Sequence, residues 1–529
     1  MTALTGTGTL LRLALRRDRI MIPVWALVLA SLVASTVSSY AGLYGTEAER
    51  VKFAQGVNAN AATLAFYGEV HGTSVGALSA WRMGTLAGAL IGVMTLLLVI
   101  RHTRAEEEDG RLELVGAGAV GRRAPLTAAL LTAVLASAVV AVLAGLLLAG
   151  QGAAGALAFG LSWFANGLVF AAVAAVTAQV TENARLARGL AVAAIGVAFL
   201  VRAVGDATDG GGWLLWASPI GWSQQIRPYA GDRFWVLLLP LALAVLLVAL
   251  AYRLAGRRDL GAGLLAPRLG PATAGPGLRS ALALAWRMQR GSLVAWTAAV
   301  VVYGLVFGGV LKGVGDLVGD SPETTELITK LGGASGLTDA FLSTVAGILG
   351  MVAAVYGVQA TLRLRGEETS QRLEPLLAVS LGRVRWAGGH LLIAMAGVAL
   401  LLASAGLATG LAYGATTGDM GGKLPEAFGA VFVQLPAAWV LTGLTVALFG
   451  LLPRYCQAAW GVLGLFVVLG VLGPTLDLDQ AVIDLSPFSH VPKLPAADLT
   501  ATPLVVLAVI VAVLTAAGLA GFRRRDVTT

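Results

Sequence analysis

Long apolar runs recur along the whole chain, and they constrain its fold more than any other feature. Runs of about 20 residues, the length that an α-helix needs to cross the bilayer core, begin near residues 20, 78, 124, 157, 187 and 234. Six more begin near residues 291, 341, 386, 427, 457 and 503. Charged residues are only 12% of the sequence, about half the fraction usual in soluble proteins. We therefore predict an all-α integral membrane protein with about twelve transmembrane helices.

The placement of the arginines predicts which side of the membrane each connecting segment faces. Most of the 37 Lys and Arg residues fall in alternate connecting segments, among them 101–123 and 363–385, and near the two chain ends. Cytoplasmic segments of membrane proteins are enriched in these residues. We therefore expect both termini in the cytoplasm, and we attribute the net charge of +8 to topology rather than to nucleic-acid binding.

Two copies of one charged pattern indicate an internal repeat. Residues 104–113 read RAEEEDGRLE and residues 365–374 read RGEETSQRLE. The charged positions that match are Arg104, Glu106, Glu107, Arg111 and Glu113 in the first copy, and Arg365, Glu367, Glu368, Arg372 and Glu374 in the second. An Arg-Arg-Asp sequence also follows the sixth and the twelfth run. Because each copy holds an even number of spans, the sequence predicts two parallel six-helix repeats.

The repeat divides the chain into three parts. Residues 1–255 form the first transmembrane half, with an amphipathic N-terminal helix and six spans. Residues 279–529 form the second half, with a connecting helix and six spans. The segment 256–278 between them is rich in Gly and Pro, which is typical of a linker, and the arginine pattern places it in the cytoplasm.

The two charged copies are the strongest functional signal in the sequence. Membrane topology requires their arginines but hardly depends on their glutamates, and mixed charge at helical spacing favours a short surface helix. We interpret the matched residues as a docking surface for another protein. A solvated loop whose arginines only set the topology is the alternative.

Two outer segments, 205–233 and 475–502, each contain a Ser-Pro pair together with aromatic or apolar residues. Such a composition allows a segment to dip back into the outer leaflet. We predict re-entrant or gate elements at Ser218, Pro219 and Trp222 in the first segment, and at Ser486 and Pro487 in the second. Plain interfacial loops without a gating role are the alternative.

No pattern for catalysis, for a cofactor or for a metal stands out. Cys456 is the single cysteine, the four histidines are scattered, and no lysine lies in the Gly-x4-Gly-Lys-Ser/Thr pattern of a phosphate loop. Acidic residues fall mostly in loops, which leaves little for a proton relay. Arg82 and Arg202 lie near outer helix ends, where their side chains can reach the interface. We therefore expect a chain that is not an enzyme.

These landmarks resemble those of ABC-2 type ABC exporter permeases, in particular the long fused membrane subunits associated with tetronasin and other polyketide antibiotics. The resemblance covers nearly the whole chain. It is carried by the loop 104–113, by Ser218-Pro219-Ile-Gly-Trp222 with Arg227-Pro228-Tyr229-Ala-Gly-Asp-Arg233, and by Arg257-Arg258-Asp259-Leu-Gly-Ala-Gly263. Ser486-Pro487 in the second half lacks the Gly-Trp that follows Ser218-Pro219 in the first.

The resemblance implies a type V exporter-like architecture in a bacterial plasma membrane, with ATPase-coupling helices near 104–115 and 365–376. Two copies of a separate ABC nucleotide-binding subunit would dock there and would hold the ATP and Mg, so that this chain itself binds no cofactor. The implied function is the efflux of amphipathic or apolar small molecules, as in multidrug efflux and antibiotic resistance. A proton-coupled secondary drug transporter with twelve helices is the alternative.

Overall fold

The computed structural model describes residues 2–59, 61–208, 210–259, 261–265, 272–273, 275–316, 333–379, 381–472 and 479–527. Over these residues the chain consists of α-helices, short 3-10 helices and connecting turns. It divides into two compact units, Met1–Gly270 and Pro271–Thr529, and each unit has its own buried apolar core. In each unit we call the end that carries the charged loop, 101–123 or 363–385, the loop end, and the other the opposite end.

The first unit contains long apolar helices and several short polar ones. A helix satisfies all of its backbone polar groups internally, as the bilayer core requires. The helices are α1 (Thr7–Arg17), α2 (Met21–Leu43), α3 (Glu47–Asn58), α4 (Ala61–Tyr67), α5 (Val75–Arg101), α6 (Arg104–Glu108), α7 (Arg111–Gly116), α8 (Ala124–Leu148), α9 (Ala153–Val180), α10 (Ala184–Ala207), α11 (Pro219–Gln225) and α12 (Leu238–Arg257).

The second unit has the same kind of composition, and its long helices pack around one large apolar core. Its helices are α13 (Ala281–Asp316), α14 (Gly333–Thr369), α15 (Leu373–Leu377), α16 (Arg383–Thr417), α17 (Met420–Phe432), α18 (Leu435–Leu451), α19 (Ala458–Leu472), α20 (Gln480–Ile483) and α21 (Ala501–Arg524). The helices α17 and α18 together form one apolar segment, Met420–Leu451, and Pro436 lies in the first turn of α18, just after the break.

Eleven helical segments in the described chain are long and apolar enough to cross a membrane. Six of them lie in the first unit and five in the second. The predicted span near residue 457 corresponds to α19, whose apolar part, Ala458–Gly470, is shorter than a full span. The residues 473–478 that follow it lie outside the described residues. The all-α integral membrane fold is therefore confirmed, with eleven long spans and one shorter apolar helix where twelve spans are predicted.

Glycines allow neighbouring helices to approach closely in both units. A Cβ atom added to Gly160 in α9 would lie 2.8 Å from the Ala141 carbonyl oxygen in α8. One added to Gly304 in α13 would lie 2.8 Å from the Ala405 carbonyl oxygen in α16. Lipid supplies no hydrophobic drive for helix association, so contacts of this kind hold membrane helices together.

The two units begin differently at the loop end. In the first unit α1 ends at Arg17 and the span α2 begins only at Met21. In the second unit Arg287 and Arg290 lie within α13, which is one continuous helix. The expected connecting helix of the second half is therefore the first part of a span in the described chain, not a separate element.

The predicted linker 256–278 is described only in part, because residues 260, 266–271 and 274 lie outside the described residues. Residues 261–265 run beside the end of α9. There the backbone N–H groups of Leu264 and Leu265 donate to the carbonyl oxygens of Gln179 and Val180 at 3.2 and 3.0 Å. This stretch is thus attached to the loop end of the first unit, where it meets the first charged loop.

Candidate functional site

The first charged loop forms the two short helices α6 and α7 directly after α5. Gly110 joins them with a φ of +71°, a conformation that glycine adopts with little strain. Leu112 is buried and anchors α7 against the unit. The short surface helix expected in this loop is therefore present, in two pieces.

Glu107 points into the protein instead of toward solvent. Its two carboxylate oxygens accept hydrogen bonds from both terminal nitrogens of Arg258 at 2.7 and 2.8 Å. Arg104 Nη1 lies 2.8 Å from Glu107 Oε2. No more than 7% of any of these three side chains is exposed. We call the contact between Glu107 and Arg258 the first clamp; it attaches the loop to the residue that follows α12.

The first clamp is also attached to α9. Arg258 Nε donates a 2.7 Å hydrogen bond to Gln179 Oε1, and Arg104 donates through Nε and Nη2 to the Ala178 carbonyl oxygen at 2.8 and 2.6 Å. Arg104 Nη2 also lies 3.2 Å from the Ala262 carbonyl oxygen. The loop, the end of α9 and the segment after α12 therefore form one hydrogen-bonded layer.

The second charged loop continues α14 as far as Thr369 and then turns into α15. Glu367 is buried and accepts hydrogen bonds from Arg372 Nε and Nη2 at 2.8 and 3.1 Å. These hydrogen bonds to the Glu367 carboxylate raise the pKa of the Arg372 guanidinium. Leu373 is buried and anchors α15 as Leu112 anchors α7.

Glu368 repeats in the second unit the contact that Glu107 makes in the first. Its oxygens accept hydrogen bonds from Arg525 Nη1 and Nη2 at 2.5 and 2.8 Å, and Arg365 Nη1 lies 3.0 Å from Glu368 Oε2. The Glu368 side chain is fully buried. We call the contact between Glu368 and Arg525 the second clamp. Arg525 follows α21, the last span of its unit, as Arg258 follows α12.

Two aromatic rings contact Arg525 in the second unit, whereas the side-chain amide of Gln179 contacts Arg258 in the first. The Arg525 guanidinium lies 5.0 Å from the ring centroid of Phe449 in α18 and 5.2 Å from that of Phe522 in α21. The quadrupole of an aromatic ring attracts a guanidinium to its face. Phe449 near the end of α18 thus has the position in the second unit that Gln179 near the end of α9 has in the first.

The remaining predicted loop residues are more accessible. Glu106 forms ion pairs with Arg17 and Arg111 at 2.7 and 3.2 Å. Each loop also presents an apolar side chain to the outside: Leu114 in α7 is 80% exposed, and Val379 after α15 is 64% exposed. The charged members of the predicted set that are exposed are Arg111, Glu113, Arg372 and Glu374.

The N-terminal helix α1 is fastened to the first loop and to the end of α5. Besides the pair between Arg17 and Glu106, the fully buried Asp18 contacts Arg101 Nη1 at 2.9 Å and His102 Nε2. Ala14 is the buried residue of α1, while Arg12, Leu13 and Arg16 on the same helix are exposed. The helix therefore has a fixed inner face and a free basic and apolar outer face, as an interfacial helix requires.

The first Ser-Pro pair starts the short helix α11 at the opposite end of the first unit. The Ser218 hydroxyl donates to the Ala198 carbonyl oxygen at 2.6 Å and accepts from the backbone N–H of Gly221 at 3.3 Å. Pro219 occupies the first position of the helix, where its missing N–H costs nothing. Trp222 Nε1 donates to the Trp216 carbonyl oxygen at 2.7 Å. The gate role of these three residues remains a prediction.

The turn after α11 contains a residue that was not predicted as part of a site. Tyr229 has a φ of +61°, and Arg227 and Asp232 in the same turn also have positive φ values. The Tyr229 backbone N–H donates to Asp232 Oδ1 at 2.8 Å, and its hydroxyl donates to the Leu148 carbonyl oxygen at 2.7 Å. The Arg-Pro-Tyr-Ala-Gly-Asp sequence of this turn carries part of the family resemblance and was the available signal.

The second Ser-Pro pair lies in a turn, not at the start of a helix. Ser486 is buried, and its hydroxyl accepts from the backbone N–H of Phe488 at 3.4 Å. Ser343 in α14 donates through its hydroxyl to the Leu494 carbonyl oxygen at 2.8 Å, which ties the segment to a span. Residues 475–478 lie outside the described residues. The described parts of the two segments therefore differ in structure, and the gate role of Ser486 and Pro487 remains a prediction.

Arg202 does not reach the interface as predicted. Its side chain is fully buried and donates to Asp206 Oδ2 at 3.2 Å and to the Phe66 carbonyl oxygen at 3.1 Å. The residues around α4 cover it, and Asp206 one turn later compensates its charge. Arg82 instead lies 4.0 Å from the ring centroid of Tyr67.

A small cavity opens at the opposite end of the first unit between α5, α9, α11 and the turn that contains Tyr229. Burial lowers the pKa of His71 to about 4, and the positive charges of Arg227 and Arg233 act in the same direction. His71 is therefore neutral near pH 7. The residues that line the cavity include Glu69, His71, Trp81, Phe159, Gln224 and Arg227.

Comparison with known proteins agrees with this architecture. The sequence profile of the family described as "Multidrug efflux system permease Rv1217c, C-terminal domain" matches residues 8–254 and 278–523. The multidrug efflux system permease protein Rv1217c of Mycobacterium tuberculosis (strain ATCC 25618 / H37Rv) is 48% identical over 526 residues, which cover 99% of this chain and 95% of that protein. The chain therefore belongs to the Rv1217c family of multidrug efflux system permeases.

Proposed function

We propose that this chain is the membrane-spanning permease subunit of an ATP-driven exporter that moves amphipathic or apolar small molecules out of the cell. The similarity to the multidrug efflux system permease protein Rv1217c supports drugs as the substrate class. The observation that supports an ATP-driven mechanism is the pair of charged loops. Each loop is fixed to the ends of its own spans by a buried clamp and leaves a small exposed surface on its outer side.

The exposed surface of each loop has the character of a protein contact. Leu114 is exposed in α7 together with Arg111 and Glu113, and Val379, two residues after α15, is exposed in the same loop as Arg372 and Glu374. An apolar residue surrounded by polar and charged ones is the usual anatomy of a docking patch. We propose that one copy of a separate ABC nucleotide-binding subunit docks on each loop, and that this partner binds the ATP and Mg and hydrolyses the ATP.

The proposed orientation follows from the arginines. The loop ends of both units, both termini and the segment between the units lie in the cytoplasm, because these regions carry most of the basic residues. The Ser-Pro segments then face the outside of the bacterial plasma membrane, where substrate leaves. In this arrangement the chain is a transport component and its partner is the enzyme.

The buried carboxylates at the loop ends argue against a proton-coupled transporter, because each of them is paired with an arginine. Glu367 pairs with Arg372, Glu368 with Arg525, and Asp18 with Arg101. A proton-coupled carrier needs a carboxylate that can exchange protons along the transport path. Carboxylates held by arginines at the ends of the spans are poorly placed for that task.

Inverted membrane vesicles test the proposal. The chain is expressed with and without a candidate ABC ATPase subunit, and the uptake of a lipophilic fluorescent dye is followed. We expect uptake that requires ATP hydrolysis and persists when a protonophore collapses the proton gradient, together with co-purification of the ATPase in detergent. Uptake that needs no ATP and that the protonophore abolishes would support the secondary transporter and contradict the proposal.

A further inference from the structure

The two clamps match closely between the two units. In each unit the carboxylate comes from the charged loop, and the guanidinium comes from the residue just after the last span. Both contacts use two carboxylate oxygens and two guanidinium nitrogens. The same geometry thus occurs twice within one chain, although the residues that support Arg258 and Arg525 differ.

This geometry makes the clamps stiff. A guanidinium that meets a carboxylate through two parallel hydrogen bonds is fixed in orientation as well as in distance. Glu107, Glu368 and Arg258 are no more than 7% exposed and Arg525 is 14% exposed. Water therefore has little access to either contact, and removing one partner leaves a largely buried charge unpaired. A displacement of the loop therefore displaces the arginine with it.

Each arginine extends this connection to two spans. Arg258 directly follows the end of α12 and donates to Gln179 near the end of α9. Arg525 directly follows the end of α21 and lies over Phe449 near the end of α18. In both units the loop is thus linked through one arginine to the last span and to an earlier span of the same unit.

We propose that the two clamps transmit the movement of the charged loops to the spans, so that Glu107 and Glu368 are positioning residues within this chain and not docking residues for the partner. The inference rests on the proposed function, because it assigns the step between the docking of the ATPase and the rearrangement of the spans. The ATPase subunit would then dock on the exposed residues of the loops.

The test is the double variant Glu107→Gln with Glu368→Gln in the complex with its ATPase. The amide keeps the volume of each side chain and removes its charge. We expect the ATPase to co-purify at the wild-type ratio and ATP turnover to stay within about twofold, while the amount of dye transported per ATP falls about tenfold or more. Loss of the ATPase from the complex, or unchanged transport per ATP, would overturn the inference.

Two further variants make the result specific. Arg258→Lys with Arg525→Lys keeps the positive charges but cannot make the two-point contact, and we expect the same fall in transport per ATP. Glu47→Gln makes the same chemical change at an exposed carboxylate of α3, at the opposite end of the first unit, and transport per ATP should stay at the wild-type level. An equal fall in Glu47→Gln would overturn the inference.

Hydrogen exchange of the permease alone gives a second measurement that needs no ATPase. Glu107→Gln should speed amide exchange in residues 104–116 and 258–265 and leave residues 365–377 unchanged, since the second clamp is intact. Unchanged exchange in residues 104–116 would contradict a mechanical connection there. A wild-type chain that couples to no ATPase would instead overturn the proposed function and, with it, this inference.

Discussion

The Tyr229 hydroxyl donates a 2.7 Å hydrogen bond to the carbonyl oxygen of Leu148, and this contact ties the turn after α11 to the end of α8. To reach it, the Tyr229 ring lies against Gly76, Gly152 and Gly155, where any side chain would approach the ring. The family turn Arg-Pro-Tyr-Ala-Gly-Asp is thus fixed at its tip by one aromatic side chain. The ring thus contacts α5, α8 and α9 together at the opposite end of the first unit.

Removing the Tyr229 hydroxyl should weaken the opposite end of the first unit. In Tyr229→Phe the Leu148 carbonyl loses its donor, and we expect the stability of the unit to fall by about 1 kcal/mol. Gly155→Ala should be more damaging, because its Cβ collides with the ring. The same Gly155→Ala change should cost much less in a Tyr229→Ala background. Thermal unfolding in detergent is measured for the wild type, Tyr229→Phe, Gly155→Ala, Tyr229→Ala and the double variant of Gly155→Ala with Tyr229→Ala. Strictly additive effects of Gly155→Ala and Tyr229→Ala would contradict the proposed insertion.

The ion pair between Arg202 and Asp206 should be essential for the folding of the first unit. Asp206→Asn leaves a fully buried guanidinium without its carboxylate, and breaking a buried pair in this way typically costs about 3 kcal/mol or more. The exposed pair between Asp109 and Arg111 provides the matched control, since Asp109→Asn should cost less than about 1 kcal/mol. Folded yield and thermal midpoint in detergent distinguish the two, and equal losses would contradict the burial of Arg202.

His71 should make the first unit less stable in mild acid. Its pKa is lowered to about 4 by burial, with Arg227 and Arg233 contributing, against about 6.5 in the unfolded chain. The unfolded state therefore binds the proton first, so stability is complete above about pH 6.5 and falls as the pH drops toward 4. At pH 5 the loss amounts to about 2 kcal/mol. Glu69 lies 3.6 Å from His71 Nδ1, but it is 58% exposed and offsets little through solvent.

The pH dependence is tested by comparing the wild type with His71→Gln between pH 7.5 and pH 5. The variant lacks the titrating group, so its unfolding midpoint should fall less over this range. His490→Gln serves as the control at an exposed histidine and should follow the wild type. Parallel curves for the wild type and His71→Gln would show that His71 does not destabilise the folded state in acid.

Much of the fold was predictable, because the bilayer leaves few options. Apolar length alone identifies spans such as α8 and α12, since a helix is the only way to satisfy the backbone of a single isolated segment in lipid. At α19 the apolar part of the described helix, Ala458–Gly470, is shorter than a full span, and residues 473–478 that follow lie outside the described residues.

The orientation of charged side chains was not predictable in the same way. The sequence shows that Glu107 and Glu368 recur, but it does not show that they point inward, since only tertiary contacts bring Arg258 and Arg525 to them. The recurring Arg-Arg-Asp sequences were the available signal. They are separated from the glutamates by more than 140 residues in both halves, too far for local patterns to reveal the pairing. The burial of Arg202 was unpredictable for the same reason, because the residues that cover its side chain belong to α4.

The topology proposal predicts which engineered cysteines an impermeant thiol reagent reaches in intact cells. Cys456 is buried, and burial raises the pKa of its thiol to about 11, so it should not react. Leu499→Cys at the opposite end of the second unit should be labelled from outside. Glu113→Cys in the first loop should be labelled only after the cells are opened. Labelling of Glu113→Cys in intact cells would place the charged loop outside and contradict the orientation.

The exposed tips of the two charged loops should determine whether the ATPase binds. Leu114 and Val379 are exposed and apolar, so burying them against a partner is favourable, and placing a carboxylate there opposes it through desolvation. Reversing Glu107 or Glu368 would be a poor test of docking, because a lysine there would stand beside a buried arginine and disturb folding first. We therefore expect the double variant Leu114→Asp with Val379→Asp to insert normally and to lose most of the co-purifying ATPase. Leu499→Asp makes the same change at the opposite end, at a leucine that is 64% exposed, as Val379 is, and this variant should retain the ATPase. Wild-type amounts of ATPase on the double variant would show that the partner does not contact these tips, and would remove the main structural support for an ATP-driven permease.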